Sequence, residues 1–537
     1  MITYRQLWRA DPAAWQRAAY GWRRRQPAVE RRAAEVAGAA GAAGALRAGW
    51  SGPAATAADT RLAGLGDRLD AVGPALCVVD QILSRYAEQL ARAKAVLADW
   101  VATAGVLGLS IDRDGRVGVD PAVTRPDAPT LAGARRVAAG VADALALATE
   151  ADVDAARRLD AAATAASQGW PARPPAARPP PSAAPATVRA WWAGLDDAQR
   201  RWLIRHEPAR VGRWDGLPAA VRDQANRLLL GRQRTALLAE RAALLDSTDP
   251  TAVPRLRRLD RLIDGLDTVD DRLASAAGPR AYLLALDGGA GRPADPSAPA
   301  STGRVILALG DPDQARRVLT HVPGMGSGLD RVGGELVRTE QVLRRCQQLA
   351  PQESTAAVLW LDYAAPAFVD EAASTAPARA GAADLRRFQE GLGVNRDGDP
   401  GGLTVLGHSY GSLVVGTAAQ APGLAADNLI FVGSPGVGVD RVGELAVPAD
   451  RVWATTADND VIRRATWPQL WPGDRLWHGE DPSGEDFGAR VFTGDASGHL
   501  GYWAGDNPAL DSMARIVLGV DHPAGDRPGT GAAVTPR

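Results

Sequence analysis
The chain has 537 residues, 46% of them hydrophobic, and its 61 Lys plus Arg nearly balance 62 Asp plus Glu, for a formal charge of -1. That length predicts two or three domains rather than one, and the balanced charge gives no support for nucleic acid or an acidic membrane as the main partner. The two cysteines, Cys77 and Cys346, are too few and too far apart for a disulfide framework or a metal site, and each reads as a buried structural thiol.

Residues 1–168 read as a helical domain rich in Ala, Leu, Arg and Glu. Apolar residues recur three and four apart, as at Leu83, Tyr86 and Leu90. Arg23, Arg24 and Arg25 are followed by no apolar leader segment, and no apolar run is long enough to span a bilayer, so the cytoplasm is the default location. The stretch 112–117 interrupts the helices as a small hairpin with a Gly turn. Its aspartates lack the spacing and distal Glu of a calcium loop.

Residues 169–187 form a Pro-rich linker that favours extended polyproline conformation. A second helical segment follows over 188–278. Its last part, 233–273, carries charged heptad-like spacing that predicts a helical hairpin of coiled-coil character. From 279 to 520 the pattern changes. Short apolar runs at 282–286, 305–309, 318–322, 358–361, 403–406, 429–432 and 452–455 alternate with helical stretches such as 330–349 and 382–392. This alternation predicts an α/β domain with a mostly parallel sheet covered on both faces. Residues 521–537, rich in Gly, Pro and Thr, read as a disordered tail.

One motif in the α/β region carries chemistry. Gly407-His408-Ser409-Tyr410-Gly411 reads G-x-S-x-G, preceded by the apolar 403–406 run and followed by a helix start. Strand, sharp turn and helix in that order form a nucleophile elbow, which holds a serine oxygen out at the top of a sheet. The pattern alone recurs by chance in a Gly-rich chain, so its partners decide its meaning.

An acid is expected at the end of the 452–455 strand, where Asp458 and Asp460 both stand; Asp460 is favoured because Val461 and Ile462 would anchor its loop. Both are also common turn residues. The histidines after it are His478, His499 and His522. His522 falls in the tail and His478 follows the acid strand too closely, which leaves His499, just past the strand-like run 489–493. The oxyanion needs two backbone donors. One is the amide of Tyr410, next after the nucleophile. The other comes from the loop His321-Val322-Pro323-Gly324-Met325-Gly326-Ser327, with Met325 as the donor, since Pro323 has no N–H. Trp467, Trp471 and Trp477 form either an apolar lid or part of the core.

These pieces together resemble an α/β-hydrolase family common in actinobacteria. The matching stretches are Val322-Pro323-Gly324-Met325-Gly326, Gly407 to Ser412, Val432-Gly433-Ser434-Pro435-Gly436, the segment 479–489 and Gly498-His499. Upstream, Trp191-Trp192, Leu217-Pro218 and Asn226-Arg227 resemble the helical segment that precedes such domains. The resemblance implies a serine hydrolase fold with this triad, and no particular substrate. The N-terminal block resembles the helical hairpins of type VII secretion substrates, with Trp50-Ser51-Gly52 as the W-x-G turn, although Leu90 stands where an acidic residue should follow Tyr86.

The expected chemistry is acyl transfer to water from an ester, of a small molecule or a lipid. Ser409 is the nucleophile, His499 the base and Asp460 its orienting acid; neither cofactor nor metal is needed. The rival expectation is a non-catalytic interaction protein whose helices self-associate or meet a type VII secretion partner, with the hydrolase fold as scaffold; under either reading, export by a type VII-like route stands as the alternative to the cytoplasm.

Overall fold
A computed structural model describes residues 1–29, 31–33, 35–36, 52–119, 127–180, 182–245, 251–289, 303–396, 401–464, 475–494 and 498–520. Trp50 and Ser51 of the W-x-G turn, the lid candidates Trp467 and Trp471, and the tail 521–537 with His522 lie outside the described residues. The chain divides into two compact units. The first is Met1–Pro171 with Ala274–Gly278 and Pro351–Ser354; the second is Ala172–Leu273, Pro279–Ala350 and Thr355–Arg537.

The first unit is helical. Helices α1 (Tyr4–Arg9) and α2 (Pro12–Arg23) precede a long α3 (Pro53–Val106), a hairpin of β1 (Leu109–Ile111) and β2 (Val117–Val119), and α4 (Ala128–Ser167). In the hairpin turn Asp112 accepts from the Asp114 and Arg116 amides. Helix α3 packs Ile82, Tyr86, Leu90, Ala93 and Leu97 against the small stripe Val137, Val141, Ala144, Ala148 and Ala151 of α4. That stripe recurs every three to four residues, so it forms one face. Gly140 is required there: a Cβ would fall 2.0 Å from the Trp100 ring.

The second unit opens with α5 (Pro185–Ala193), α6 (Asp197–His206), α7 (Pro208–Val211), α8 (Ala219–Leu245) and α9 (Ala252–Ala274). Helices α8 and α9 run antiparallel: Arg234 pairs with Asp267, Arg241 with Asp260 and Glu240 with Arg255. The other elements are β3 (Ala281–Asp287), β4 (Arg304–Leu309), β5 (Arg317–Val322), α10 (Val332–Leu349), β6 (Thr355–Leu361), α11 (Val369–Ala372), α12 (Ala376–Asn395), β7 (Gly402–His408), α13 (Tyr410–Ala419), β8 (Asn428–Val432), β9 (Val452–Thr455), β10 (Arg475–Leu476), β11 (Gly479–Glu480), β12 (Arg490–Val491) and α14 (Pro508–Leu518). The expected fold class holds: a helical region precedes a sheet domain of α/β-hydrolase type. The main sheet has eight strands in the order β12-β9-β8-β7-β5-β6-β4-β3. Pairings β3–β4 and β4–β6 are antiparallel and the rest parallel.

Strands β5, β7 and β8 are buried almost throughout, which is why they read as continuous apolar runs rather than alternating ones. One face packs against α8, α9, α10 and α14, the other against α12 and α13. The outer strand β3 would present unpaired backbone groups. Helix α8 satisfies them: Asn226 donates to Leu283 O, Arg222 to Leu284 O and Arg227 to Ala281 O, while Asp223 accepts from the Leu283 amide. Asp223 also pairs with fully buried Arg280 at 2.8 Å, and these partners hold its carboxyl at about 2 against burial, which works the other way.

The order of strands positions the site. From β5 the chain crosses to β6 on one side, then returns past β5 to β7 on the other. The loops leaving β5 and β7 therefore diverge above neighbouring strands, and the crevice between them lies at the carboxyl ends.

Candidate active site
Ser409 occupies that crevice. Strand β7 ends at His408, helix α13 starts at Tyr410, and Ser409 between them takes φ 55° and ψ -130°. A non-glycine residue rarely holds such a φ, and the cost is of order 1–3 kcal/mol. The neighbours over-determine it. The Ser409 amide donates to Val432 O on β8 at 3.0 Å, and Ser412 Oγ donates back to Gly407 O at 2.9 Å. Both motif glycines are steric necessities. A Cβ on Gly411 would fall 2.1 Å from Val322 O, and one on Gly407 would fall 2.6 Å from Ser412 Cα.

The loop after β5 crosses over Ser409. A Cβ on Gly324 would fall 2.6 Å from Ser409 Cβ and 2.9 Å from the Tyr410 amide nitrogen. Tyr363 OH donates to Pro323 O at 2.6 Å, and the Gly326 amide donates to Pro366 O at 2.8 Å. The Ser327 amide turns back onto Gly324 O. Among the described residues this leaves the Gly324 and Met325 amides without acceptors beside the start of α13. The Met325 side chain faces solvent.

Asp460 and His499 meet on the far side. His499 Nδ1 lies 2.8 and 3.0 Å from the two Asp460 carboxylate oxygens. Tyr502 OH donates to Asp460 Oδ2 at 2.6 Å, and the Ile462 amide donates to Oδ1 at 2.8 Å. Burial pushes the Asp460 carboxyl up; the bonds from His499, Tyr502 and Ile462 outweigh it and hold the group below the usual carboxylate range. Asp458, its sequence rival, stands in solvent and pairs with Arg463 at 3.4 Å. His478 is buried elsewhere, bonded through Nε2 to Ala372 O at 2.8 Å.

Gly433 joins the two halves. A Cβ there would fall 2.9 Å from Asp460 Oδ2 and 3.2 Å from His499 Cε1. The residue before it, Val432, accepts the Ser409 amide. Ser409 and the imidazole thus flank the same two residues, the last of β8 and the one after it. Ser409 Oγ has no hydrogen-bond partner among the described residues, so the Ser–His bond is open here; such bonds commonly tighten only with substrate in place.

Several contributing residues escaped sequence reasoning. Tyr502 orders Asp460, and its oxygen also accepts the Ala457 amide at 3.0 Å. His408 donates from Nε2 to His499 O at 3.1 Å, its ring 4.8 Å from that of His499 and edge-on to Trp503. The only signals were nearness in sequence: Tyr502 follows His499 by three, and His408 sits inside the motif.

Residues 298–472 match a family model described as alpha/beta hydrolase. The match takes in Met325, Ser409, Tyr410 and Asp460 and stops short of His499. The chain is also similar to uncharacterized proteins of two Mycobacterium tuberculosis strains, 29% identical over 384 residues, or 64% of this chain and 56% of theirs. It thus spans little more than half the length of those relatives. An uncharacterized Mycobacterium bovis protein is 29% identical over 213 residues, 38% of this chain and 74% of its own. No solved structure matches. The matched domain supports a hydrolase in the general sense. No helix of the described residues is long and apolar enough to cross a membrane.

Two further histidines sit beneath the site. Burial, with help from Arg338, pulls His321 down to about 3; burial, with His499 and His321, pulls His408 well below its ordinary value. Thr339 Oγ1 gives its proton to Glu335 O, so His321 Nδ1 is the donor across the 2.9 Å to that oxygen. Both rings are therefore neutral in the folded protein, whereas the unfolded chain protonates them near pH 6.5. Below pH 6.5 the unfolded state binds more protons, so stability is full above that value and falls as pH drops toward 3. Each group contributes up to about 1.4 kcal/mol per pH unit. His321→Gln should flatten the dependence of urea-unfolding free energy on pH between 6.5 and 4 by about that slope; an unchanged slope would show that His321 does not stay neutral.

Proposed function
We propose that the chain is a serine hydrolase that cleaves an ester or related acyl bond through an acyl-enzyme intermediate. Ser409 attacks the carbonyl carbon. His499 takes the serine proton and returns it to the leaving group, then activates the water that releases the acyl group. Asp460 orients the imidazole and stabilises its cation. The amides of Tyr410 and Met325 receive the oxyanion. The observation that carries this reading is Ser409 held at a left-handed φ between strand and helix, with the bonded His499–Asp460 pair packed against the Val432–Gly433 segment that anchors it.

The direct test is covalent labelling of the folded chain by a fluorophosphonate probe, which reports an activated serine. Folded protein that stays unlabelled and turns over no activated ester would refute the proposal. The acid is tested separately. Asp460→Asn should lower ester turnover by about 10⁴-fold through the wrong imidazole tautomer, whereas Asp458→Asn should leave it within about threefold, as for an exposed surface residue. The reverse ranking in steady-state assays would assign the acid to Asp458.

A further inference from the structure
The exposed apolar side chains of the sheet domain are not scattered. Between residues 281 and 520 the described residues expose seven large ones: Met325, Val337, Phe368, Val369, Val461, Leu500 and Val520. Five of these stand on the four segments that leave strands at the carboxyl edge of the sheet, the edge that carries Ser409, with Val369 opening α11. Met325 is 42% exposed and stands next to Gly324, the residue against the nucleophile; Phe368 and Val369, at 67% and 57%, follow β6; Val461, at 66%, follows Asp460; Leu500, at 54%, follows His499.

The loops are tied in two pairs. The Gly326 amide bonds Pro366 O and Tyr363 OH bonds Pro323 O, linking the Met325 loop to the Phe368 loop. The His499–Asp460 pair links the Leu500 loop to the Val461 loop. Single exposed apolar residues are ordinary, but a set gathered around a nucleophile marks a binding surface. Its position decides the occupant. A carbonyl at Ser409 must project its substituent over the surrounding rim, and an apolar rim recovers free energy only from an apolar substituent.

Resting on the hydrolase reading, we propose that the site selects esters of long, uncharged acyl chains, with the chain lying across the rim of Met325, Phe368, Val369, Val461 and Leu500. The experiment compares the full chain on p-nitrophenyl esters of two to ten acyl carbons, each below its aggregation concentration. Burying one methylene is worth roughly a fourfold gain, so kcat/KM should rise at least about tenfold from acetate to decanoate. Phe368→Ser with Val369→Ser should leave acetate turnover within about twofold, as for surface substitutions, and lower decanoate turnover about tenfold. A chain that takes the fluorophosphonate label but shows a flat wild-type profile overturns the acyl preference alone, and a variant that loses both esters equally while keeping its melting curve overturns the rim as its origin. A folded chain that neither labels nor cleaves any ester overturns the hydrolase reading and the preference with it.

Discussion

Ser409→Ala should abolish fluorophosphonate labelling and lower ester turnover by about 10⁴-fold or more, while the melting temperature stays close to wild type. Removing the nucleophile removes the covalent pathway; any residual rate comes from the oxyanion donors and binding alone. Stability should change by less than about 1 kcal/mol, because Ser409 Oγ has no partner among the described residues to lose. The backbone cost of its φ of 55° is shared by alanine. An alanine variant that keeps more than a tenth of the activity would remove Ser409 from the mechanism.

Gly411→Ala should be the most damaging of the small substitutions. The added methyl would fall 2.1 Å from Val322 O and 2.7 Å from Pro323 O, both backbone atoms at the end of β5. No rotamer relieves such a contact, so strand and helix must separate. The expected loss is at least about 3 kcal/mol, at the upper end of overpacking effects, with labelling lost in whatever still folds. Gly505→Ala is the control, since its methyl would meet nothing within 4 Å. Equal urea midpoints for the two variants would mean that the elbow is looser than these distances require.

The sheet was readable because its strands are buried on both faces. Runs such as 429–432 and 452–455 stand out from their polar flanks and lie within β8 and β9 nearly residue for residue. β12 is only two residues long, too short for any periodicity, so its pairing with β9 depends on tertiary structure. The same limit governs the site. Asp458 and Asp460 both read as strand-end acids, and the apolar Val461 and Ile462 favoured Asp460 only by inference; the turn places one in solvent and the other under Tyr502, 42 residues on. The loop above the elbow was legible down to Met325 as the expected donor, since Pro323 has no N–H. Which amides lack acceptors became visible only once the Gly326 and Ser327 amides were seen to be used within the loop and by Pro366.

The seam at Val432–Gly433 has a consequence for precision. The Ser409 amide is fastened to Val432 O, and the His499 ring rests on Gly433, while His408, next to Ser409, is bonded to the carbonyl of His499. Ser409 and His499, which exchange a proton in the proposed mechanism, are therefore gauged from a single reference at the end of β8 and cross-braced to each other. When that strand flexes they travel together, and the error in their separation stays smaller than the motion of either one.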